Sequence, residues 1–158
     1  MTYQTIIVEK KNEYAIVKLN RPHEMNAICK EMRNELYDAF VELELDPEVK
    51  AIIITGGEYV FSAGMDIKEM ASIPNEESDE LLKSMMRYLK KIYACKKPVI
   101  AAVGGIALGG GFNLVTICDL VVASESAIFC HPELKFGFNP FFYPLSQIVG
   151  ISKAKEIV

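Results

Sequence analysis

The sequence predicts an α/β fold built on a mainly parallel sheet. Three short apolar runs, residues 51–55, 99–103 and 120–123, have the length and composition of buried strands. Segments with helical spacing or glycine-rich turns separate them. This alternation of strand, loop and helix is typical of parallel strands joined by crossover connections.

The chain begins with a predicted hairpin, because two β-rich runs, residues 5–10 and 14–20, flank the polar Lys11-Asn12-Glu13. Two amphipathic helices are also predicted. The first ends near Leu45, before Asp46-Pro47, and a break at residues 72–75 precedes the second. Apolar side chains recur every three or four residues in the first helix at Ile28, Met32, Leu36, Phe40 and Leu43, and in the second at Leu82, Met85, Met86, Leu89, Ile92 and Tyr93.

Composition predicts one domain over residues 1–158. The chain has 158 residues, of which 51% are hydrophobic, enough for one ordinary core without a linker or repeat. A net charge of -4 and the lack of a basic stripe argue against nucleic acid as a partner. No apolar run reaches about 18 residues and no leader is evident, so we expect a cytoplasmic protein that does not bind membranes.

Metal and dinucleotide chemistry find no support in the sequence. The four cysteines have no paired spacing and are expected to be reduced packing residues. The histidines, His23 and His131, lack neighbours at metal-ligand spacing, so no metal site is expected. The glycine-rich segment 104–111 contains neither G-x-G-x-x-G nor the lysine of a phosphate-binding loop.

The segment from Lys97 to Asn113 predicts a strand, a turn and a helix. Pro98 can open the strand, residues 99–103 are apolar, and Gly109-Gly110-Gly111 stand where the helix begins. Free backbone N–H groups and the positive end of the helix dipole meet there. Such a place can bind an oxygen that is becoming negative. The alternative is that the glycines only let the helix pack closely on the sheet.

A second glycine loop, residues 56–70, follows the strand at 51–55. It contains F-x-A-G-x-D-I-K-E-M, and residues 107–111 spell A-L-G-G-G. Together these motifs resemble the crotonase, or enoyl-CoA hydratase/isomerase, family. The resemblance spans nearly the whole chain and implies a spiral of ββα units. It also includes Asn20-Arg21-Pro22, Asn26-Ala27, the Lys97-Pro98-Val99-Ile100-Ala101 strand, Cys118-Asp119 and His131-Pro132-Glu133.

The resemblance implies an acyl-CoA thioester as substrate, with coenzyme A as part of the substrate and no separate cofactor. The backbone N–H groups of Met65 and Gly110 would hold the thioester oxygen as it becomes negative. Lys68 would supply positive charge to the coenzyme A groove, unless it is an ordinary solvated lysine. The implied substrate-binding residues are Ala27, Ala63, Gly64, Met65, Asp66, Ile67, Lys68, Gly109 and Gly110.

The sequence departs from the best-known hydratases at one of two acidic positions. Those enzymes have two glutamates that flank a water, whereas this chain has Asn113 and Glu133. An amide cannot exchange a proton at useful pH, but a carboxylate can. Taken without the family, Glu133 would be an exposed turn residue. His131 would be a turn residue without a catalytic role, or one that orients Glu133.

One carboxylate suffices to move a proton between two carbons, so isomerisation of an enoyl-CoA double bond ranks narrowly first. Hydration of a 2-enoyl-CoA is the alternative, with Asn113 orienting a water. A non-catalytic acyl-CoA-binding protein is the third possibility, which activity towards any enoyl-CoA would exclude.

The segment 136–144 is rich in aromatic residues. Phe138 and Phe141 are candidates for an apolar wall around the acyl group, with core packing as the alternative. Beyond it, Ser152 predicts a helix N-cap, but no C-terminal helix signal follows. Since the family continues for roughly another hundred residues, we expect a longer natural chain that forms a homotrimer or a hexamer.

Overall fold

The computed structural model describes residues 2–137 and 139–158. In this part of the chain, eight strands form two sheets and six α-helices surround them. The strands are β1 (Ile6–Lys11), β2 (Tyr14–Leu19), β3 (Ala51–Thr55), β4 (Val60–Ser62), β5 (Val99–Val103), β6 (Ile106–Leu108), β7 (Leu120–Ala123) and β8 (Ile128–Cys130). The helices are α1 (Lys30–Leu45), α2 (Ile67–Ser72), α3 (Ser78–Tyr93), α4 (Gly110–Thr116), α5 (Phe142–Val149) and α6 (Ile151–Ile157).

The larger sheet has the order β1-β2-β3-β5-β7. Strands β1 and β2 form the predicted antiparallel hairpin, and every other neighbouring pair is parallel. The smaller sheet is parallel throughout, with the order β4-β6-β8. The mainly parallel α/β prediction is therefore confirmed.

The two sheets alternate along the chain. Strand β3 of the large sheet is followed by β4 of the small one and then by helices, and β5-β6-α4 and β7-β8-α5 repeat the pattern. These are the ββα units that the resemblance implied. Each turn of the spiral returns the chain to the small sheet, so the segments that leave β4, β6 and β8 lie next to one another.

The core lies between the large sheet and the long helices. All five apolar residues that predicted the first helix are buried, as are Leu89 and Ile92 of α3. Leu82 and Tyr93, which were assigned to the apolar face of α3, are instead 57% and 71% exposed. Among the described residues no helix has the length and apolar character needed to cross a bilayer.

Three details of the sequence prediction differ from the structure. Strands β4 and β6 were assigned to glycine-rich loops and turns, and β8 was not predicted, because three residues are too few to show an alternating pattern. Helix α6 begins after Gly150, whose φ is 80°, so Ser152 lies inside the helix and is not its N-cap. Helix α5, immediately before it, was not predicted.

Candidate active site

Helix α4 begins at the point where the chain leaves the small sheet. Gly109 precedes the helix with φ 47° and ψ −119°, a conformation that favours glycine. Its N–H donates to the carbonyl of Cys130 at 2.9 Å, which ties the helix start to β8. Gly110 is the first helical residue and is buried. The two predicted glycines thus stand at the N-terminus of a helix.

The loop after β4 lies against this helix start. Ile28 donates to the carbonyl of Gly64 at 2.8 Å and accepts from the N–H of Asp66 at 3.2 Å. Because alternate residues of a parallel pair direct their N–H groups to opposite sides, the N–H of Met65 points away from Ile28. Gly64, with φ 101°, has no room for a side chain, since a Cβ would lie 3.2 Å from the nitrogen of Gly110.

The backbone N–H groups of Met65 and Gly110 are therefore neighbours. A Cβ built on Gly110 would lie 3.3 Å from the nitrogen of Met65. Among the described residues, neither N–H has a hydrogen-bond acceptor. Two free donors on adjacent segments, one at a helix N-terminus, are suited to binding one oxygen that carries negative charge.

Glu133 reaches the same place from the other side of Gly109. It is the first residue of a 3-10 helix, Glu133–Phe136, which follows β8. Its Oε1 lies 3.3 Å from the position of a Cβ on Gly109, and its side chain is 17% exposed. A side chain at position 109 would crowd the carboxylate. The structure thus brings Glu133 next to the residue that precedes Gly110.

Asn113 lies one helical turn beyond Gly109, to whose carbonyl its backbone N–H donates at 2.8 Å. Residues three and four apart share a helix face, so Asn113 lies on the face that begins with Gly109 and Gly110. Its Oδ1 is buried and has no hydrogen-bond partner among the described residues. A buried acceptor of this kind is costly unless it receives a hydrogen bond.

The side chain of Asp66 fixes the loop that carries Met65. It caps α2 by accepting from the N–H groups of Lys68 and Glu69, and its Oδ2 accepts from Arg21 at 2.9 Å. Burial opposes its ionisation, but the hydrogen bond from Arg21 and those from the two amides outweigh burial and lower the pKa of Asp66. Arg21 also donates to the carbonyl of Ala27 at 2.6 Å. The predicted residues Ala27, Met65 and Asp66 are thus brought together.

Two arginines were not among the predicted site residues. Arg21 stood in a quoted motif, which was the available signal. No sequence signal pointed to Arg33 of α1, because a charged residue in an amphipathic helix is expected on the exposed face of that helix. Its side chain is 2% exposed, pairs with Glu69 at 2.7 Å and donates to Ser84 at 2.9 Å. It joins α1 to α2 and α3 behind the loop.

The remaining predicted substrate-binding residues lie along the outer edge of this loop. The N–H of Ala63 donates to the carbonyl of Met25 at 3.0 Å. Ile67 is 77% exposed, unusual for an isoleucine, and Lys68 is exposed beside it. Both residues are therefore open to solvent, whereas the backbone N–H of Lys68 is already bonded to Asp66.

The described part of the predicted acyl wall is Phe141. Phe141 lines a cavity of about 350 Å³ with Thr116 and Ile117, at the far end of α4 from Gly109. The seven residues of α4 put about 10 Å between the two ends. Phe138 lies outside the described residues. The role of both aromatic residues in binding an acyl group stays a prediction.

Metal ligands do not cluster in the described ranges: no three His, Cys, Asp or Glu side chains lie close enough to hold a metal ion. The cysteines there are free of disulfides. Cys118 is buried, and burial raises the pKa of its thiol to about 12, which makes it an inert packing residue.

Repeating ββα units that place two free backbone N–H groups next to a carboxylate define the crotonase-like class of α/β proteins. A model of the enoyl-CoA hydratase/isomerase family matches residues 9–158. The chain is 42% identical over 161 residues to a probable enoyl-CoA hydratase of Mycobacterium leprae, covering 100% of this chain and 62% of that protein. It is 40% identical over 162 residues to a crotonyl-CoA hydratase of Syntrophomonas wolfei, again covering 100% and 62%. This protein belongs to the enoyl-CoA hydratase/isomerase family.

Solved structures agree with this assignment. An enoyl-CoA hydratase from Bacillus anthracis superposes with a TM-score of 0.93 at 30% identity, over 98% of this chain and 62% of that one. An enoyl-CoA hydratase/isomerase from Xanthobacter autotrophicus gives a TM-score of 0.92 at 38% identity, over 99% and 60%. The chain thus spans about 60% of the length of these relatives.

Proposed function

We propose that this protein adds water to the double bond of a 2-enoyl-CoA thioester. The observation that carries the proposal is the position of the Glu133 carboxylate, which lies beside Gly109. That position is next to the free N–H groups of Met65 and Gly110. An oxygen-binding site and a proton-transfer group are thus adjacent, as the chemistry requires.

The two N–H groups would stabilise the negative charge that develops during the reaction. Addition of an oxygen at C3 of a 2-enoyl thioester moves negative charge onto the thioester oxygen. Fixed donors from Met65 and Gly110 stabilise that charge, and they do so without reorganisation. Loss of one such donor typically costs about 100- to 1000-fold in rate.

Glu133 would carry the proton. As the C3–O bond forms, the carboxylate takes one proton from the attacking water, and the enolate then receives a proton at C2 from the same carboxyl group. The product carries OH on C3 and H on C2, and Glu133 returns to its ionised form. One carboxylate is sufficient for this cycle.

Asn113 would hold the water. Its buried Oδ1, unpartnered among the described residues, can accept a hydrogen bond from a water. An isomerase requires no such acceptor at this position. The two sequence relatives from Mycobacterium leprae and Syntrophomonas wolfei are hydratases by name, which supports the same order of preference.

Isomerisation of an enoyl-CoA is the second candidate, and on the sequence alone it ranked first. The observation that favours it is the amide at position 113, which leaves one carboxylate at the site. Glu133 would then lift a proton from C2 of a 3-enoyl-CoA and return it to C4. The unpaired Oδ1 of Asn113 and the names of the sequence relatives are the support for proposing hydration first.

Incubation with 2-enoyl-CoA and 3-enoyl-CoA in ¹⁸O-labelled water, followed by mass analysis, separates the candidates. Hydration incorporates labelled oxygen into the product from 2-enoyl-CoA. Asn113→Leu should slow this incorporation by about 10-fold or more, and Asn113→Glu should keep or increase it. Double-bond migration without oxygen uptake would favour the isomerase. Binding of the thioester without turnover of either substrate would leave acyl-CoA binding as the function.

The rest of the proposal concerns the whole protein. Lys68, exposed beside the loop, supplies positive charge to the coenzyme A phosphates, and no further cofactor is required. By resemblance to the family we propose a cytoplasmic homotrimer or hexamer. Light scattering on the complete protein measures its mass directly.

A further inference from the structure

His131 lies directly against the carboxylate of Glu133. Its side chain is fully buried, with 0% exposure, and its Nδ1 is 3.2 Å from Oε2 and 3.3 Å from Oε1. One nitrogen is thus shared between both carboxylate oxygens. A contact with both oxygens restricts rotation of the carboxylate about the Cγ–Cδ bond of Glu133. A contact with one oxygen alone would restrict this rotation less.

The imidazole ring is itself held by the elements that form the site. It packs on Phe112 of α4 with ring centroids 4.7 Å apart, and Phe112 packs on Phe129 of β8 at 5.2 Å. Phe112 lies two residues after Gly110, and Glu133 lies two residues after His131. The ring therefore links the helix that donates the Gly110 N–H to the segment that carries the carboxylate.

The hydrogen-bonding groups fix the tautomer. An ionised carboxylate only accepts hydrogen bonds, so Nδ1 must carry a hydrogen. The second nitrogen, Nε2, is buried and has no partner among the described residues. A buried N–H without an acceptor on a charged ring is costlier than a bare acceptor on a neutral one. The neutral ring with Nδ1 protonated fits both facts.

We infer that His131 is a positioning residue that holds the Glu133 carboxylate beside Gly109 through its Nδ1–H. Packing alone does not account for a histidine here. Phenylalanine would fill the same space against Phe112 and leave no buried nitrogen unpaired. The inference rests on the proposed role of Glu133 as the proton-transfer group, and it adds the residue that orients it.

NMR of the histidine rings tests the tautomer without any assay of activity. The sequence contains two histidines, so a His23→Gln variant assigns the signals of His131. Long-range ¹H–¹⁵N spectra should show Nδ1 protonated and Nε2 unprotonated, and Glu133→Ala should change both signals. An Nε2–H tautomer, with Nδ1 unprotonated, would overturn the inference.

Kinetics of two matched variants test the positioning role. His131→Phe keeps the ring packing and removes the donor, so its melting temperature should be equal to or above that of the parent. Its kcat should nevertheless fall by about 10- to 100-fold with little change in KM. His131→Asn, whose amide can place an N–H near the position of Nδ1, should recover most of the loss.

The outcomes separate this inference from the proposed function. Full kcat in His131→Phe, or an asparagine variant no better than the phenylalanine variant, contradicts the positioning role. A parent protein that turns over no enoyl-CoA contradicts the proposed function, and the NMR result then still decides whether His131 donates to Glu133. If His131→Phe fails to fold, the spectra of the parent and the kinetics of His131→Asn decide.

Discussion

The larger sheet buries Ile52 and Ile54 of β3 completely, with neighbouring strands showing the same alternation of buried and half-buried side chains. The smaller sheet has three strands of three residues each and few fully buried apolar side chains. Glycines in the segments next to its strands lie so close to neighbouring backbone that a Cβ on them would overlap it. These glycines and the residues they meet are Gly56 with Phe61, Gly105 with Tyr59, and Gly111 with Ser62.

The contrast shows how the protein separates stability from function. Burial of apolar side chains stabilises the larger sheet, so loss of a buried side chain lowers the stability of the whole fold. Close backbone contacts at glycines shape the smaller sheet and the segments that leave it, and Met65, Gly110 and Glu133 lie near one another there. We therefore expect changes in the larger sheet to alter stability, and changes in the smaller sheet or the loops beyond it to alter turnover.

The largest effect should come from Glu133→Gln. Glutamine keeps the shape of the side chain and can still accept from His131, but it cannot exchange a proton. Turnover should fall by about 100- to 10,000-fold while the affinity for a coenzyme A ester stays nearly unchanged. Steady-state kinetics and isothermal calorimetry measure the two quantities. Glu125→Gln, at an exposed carboxylate between β7 and β8, is the control. Near-parental turnover in Glu133→Gln would mean that another group moves the proton.

A second prediction concerns the larger sheet. Ile54→Ala removes a fully buried side chain from its central strand and leaves a cavity, so the free energy of unfolding should fall by about 2–5 kcal/mol. Denaturant unfolding measures this. At a temperature where the variant is folded, kcat should stay within about threefold of the parent. A large loss of kcat in the folded variant would show that the two sheets are not separable in this way.

The third prediction is the counterpart in the smaller sheet. In Gly105→Ala the new Cβ meets the backbone of Tyr59, which can relax only by moving β4 away from β6. Overpacking of this kind costs about 1–3 kcal/mol. Because β4 and β6 lead to Met65 and Gly110, kcat should fall well below that of the parent even at a temperature where the variant is folded. The φ of Gly105 is not in the positive range that favours glycine, so the effect of the variant comes from the clash alone. Parental kcat in Gly105→Ala would contradict the link between β4–β6 spacing and the site.

The same contrast explains what the sequence could predict. Strands β3 and β5 and helix α1 were predicted nearly to the residue, because their apolar composition and spacing report burial directly. Strand β7 was predicted as well, although its four residues are exposed. The strands of the smaller sheet are too short for that signal. The residues of the site were found through glycine motifs and a family resemblance. The partners of their side chains, such as Arg21 with Asp66 or Arg33 with Glu69, depend on tertiary contacts that no local pattern encodes.

The smallest predicted effect tests the loop beyond the smaller sheet. Asp66→Asn keeps a good N-cap for α2 but removes the ionic bond to Arg21, so at pH 7 stability should fall by about 1 kcal/mol or less. The pKa of Asp66 is lowered in the folded state, so its contribution is complete above the unfolded value, about 4, and is lost as pH falls through the folded value. The difference between parent and variant should therefore shrink below about pH 4. Unfolding in urea across pH 3–7 measures this difference, and a gap that stays constant or widens towards low pH would show that the charge on Asp66 does not hold the loop.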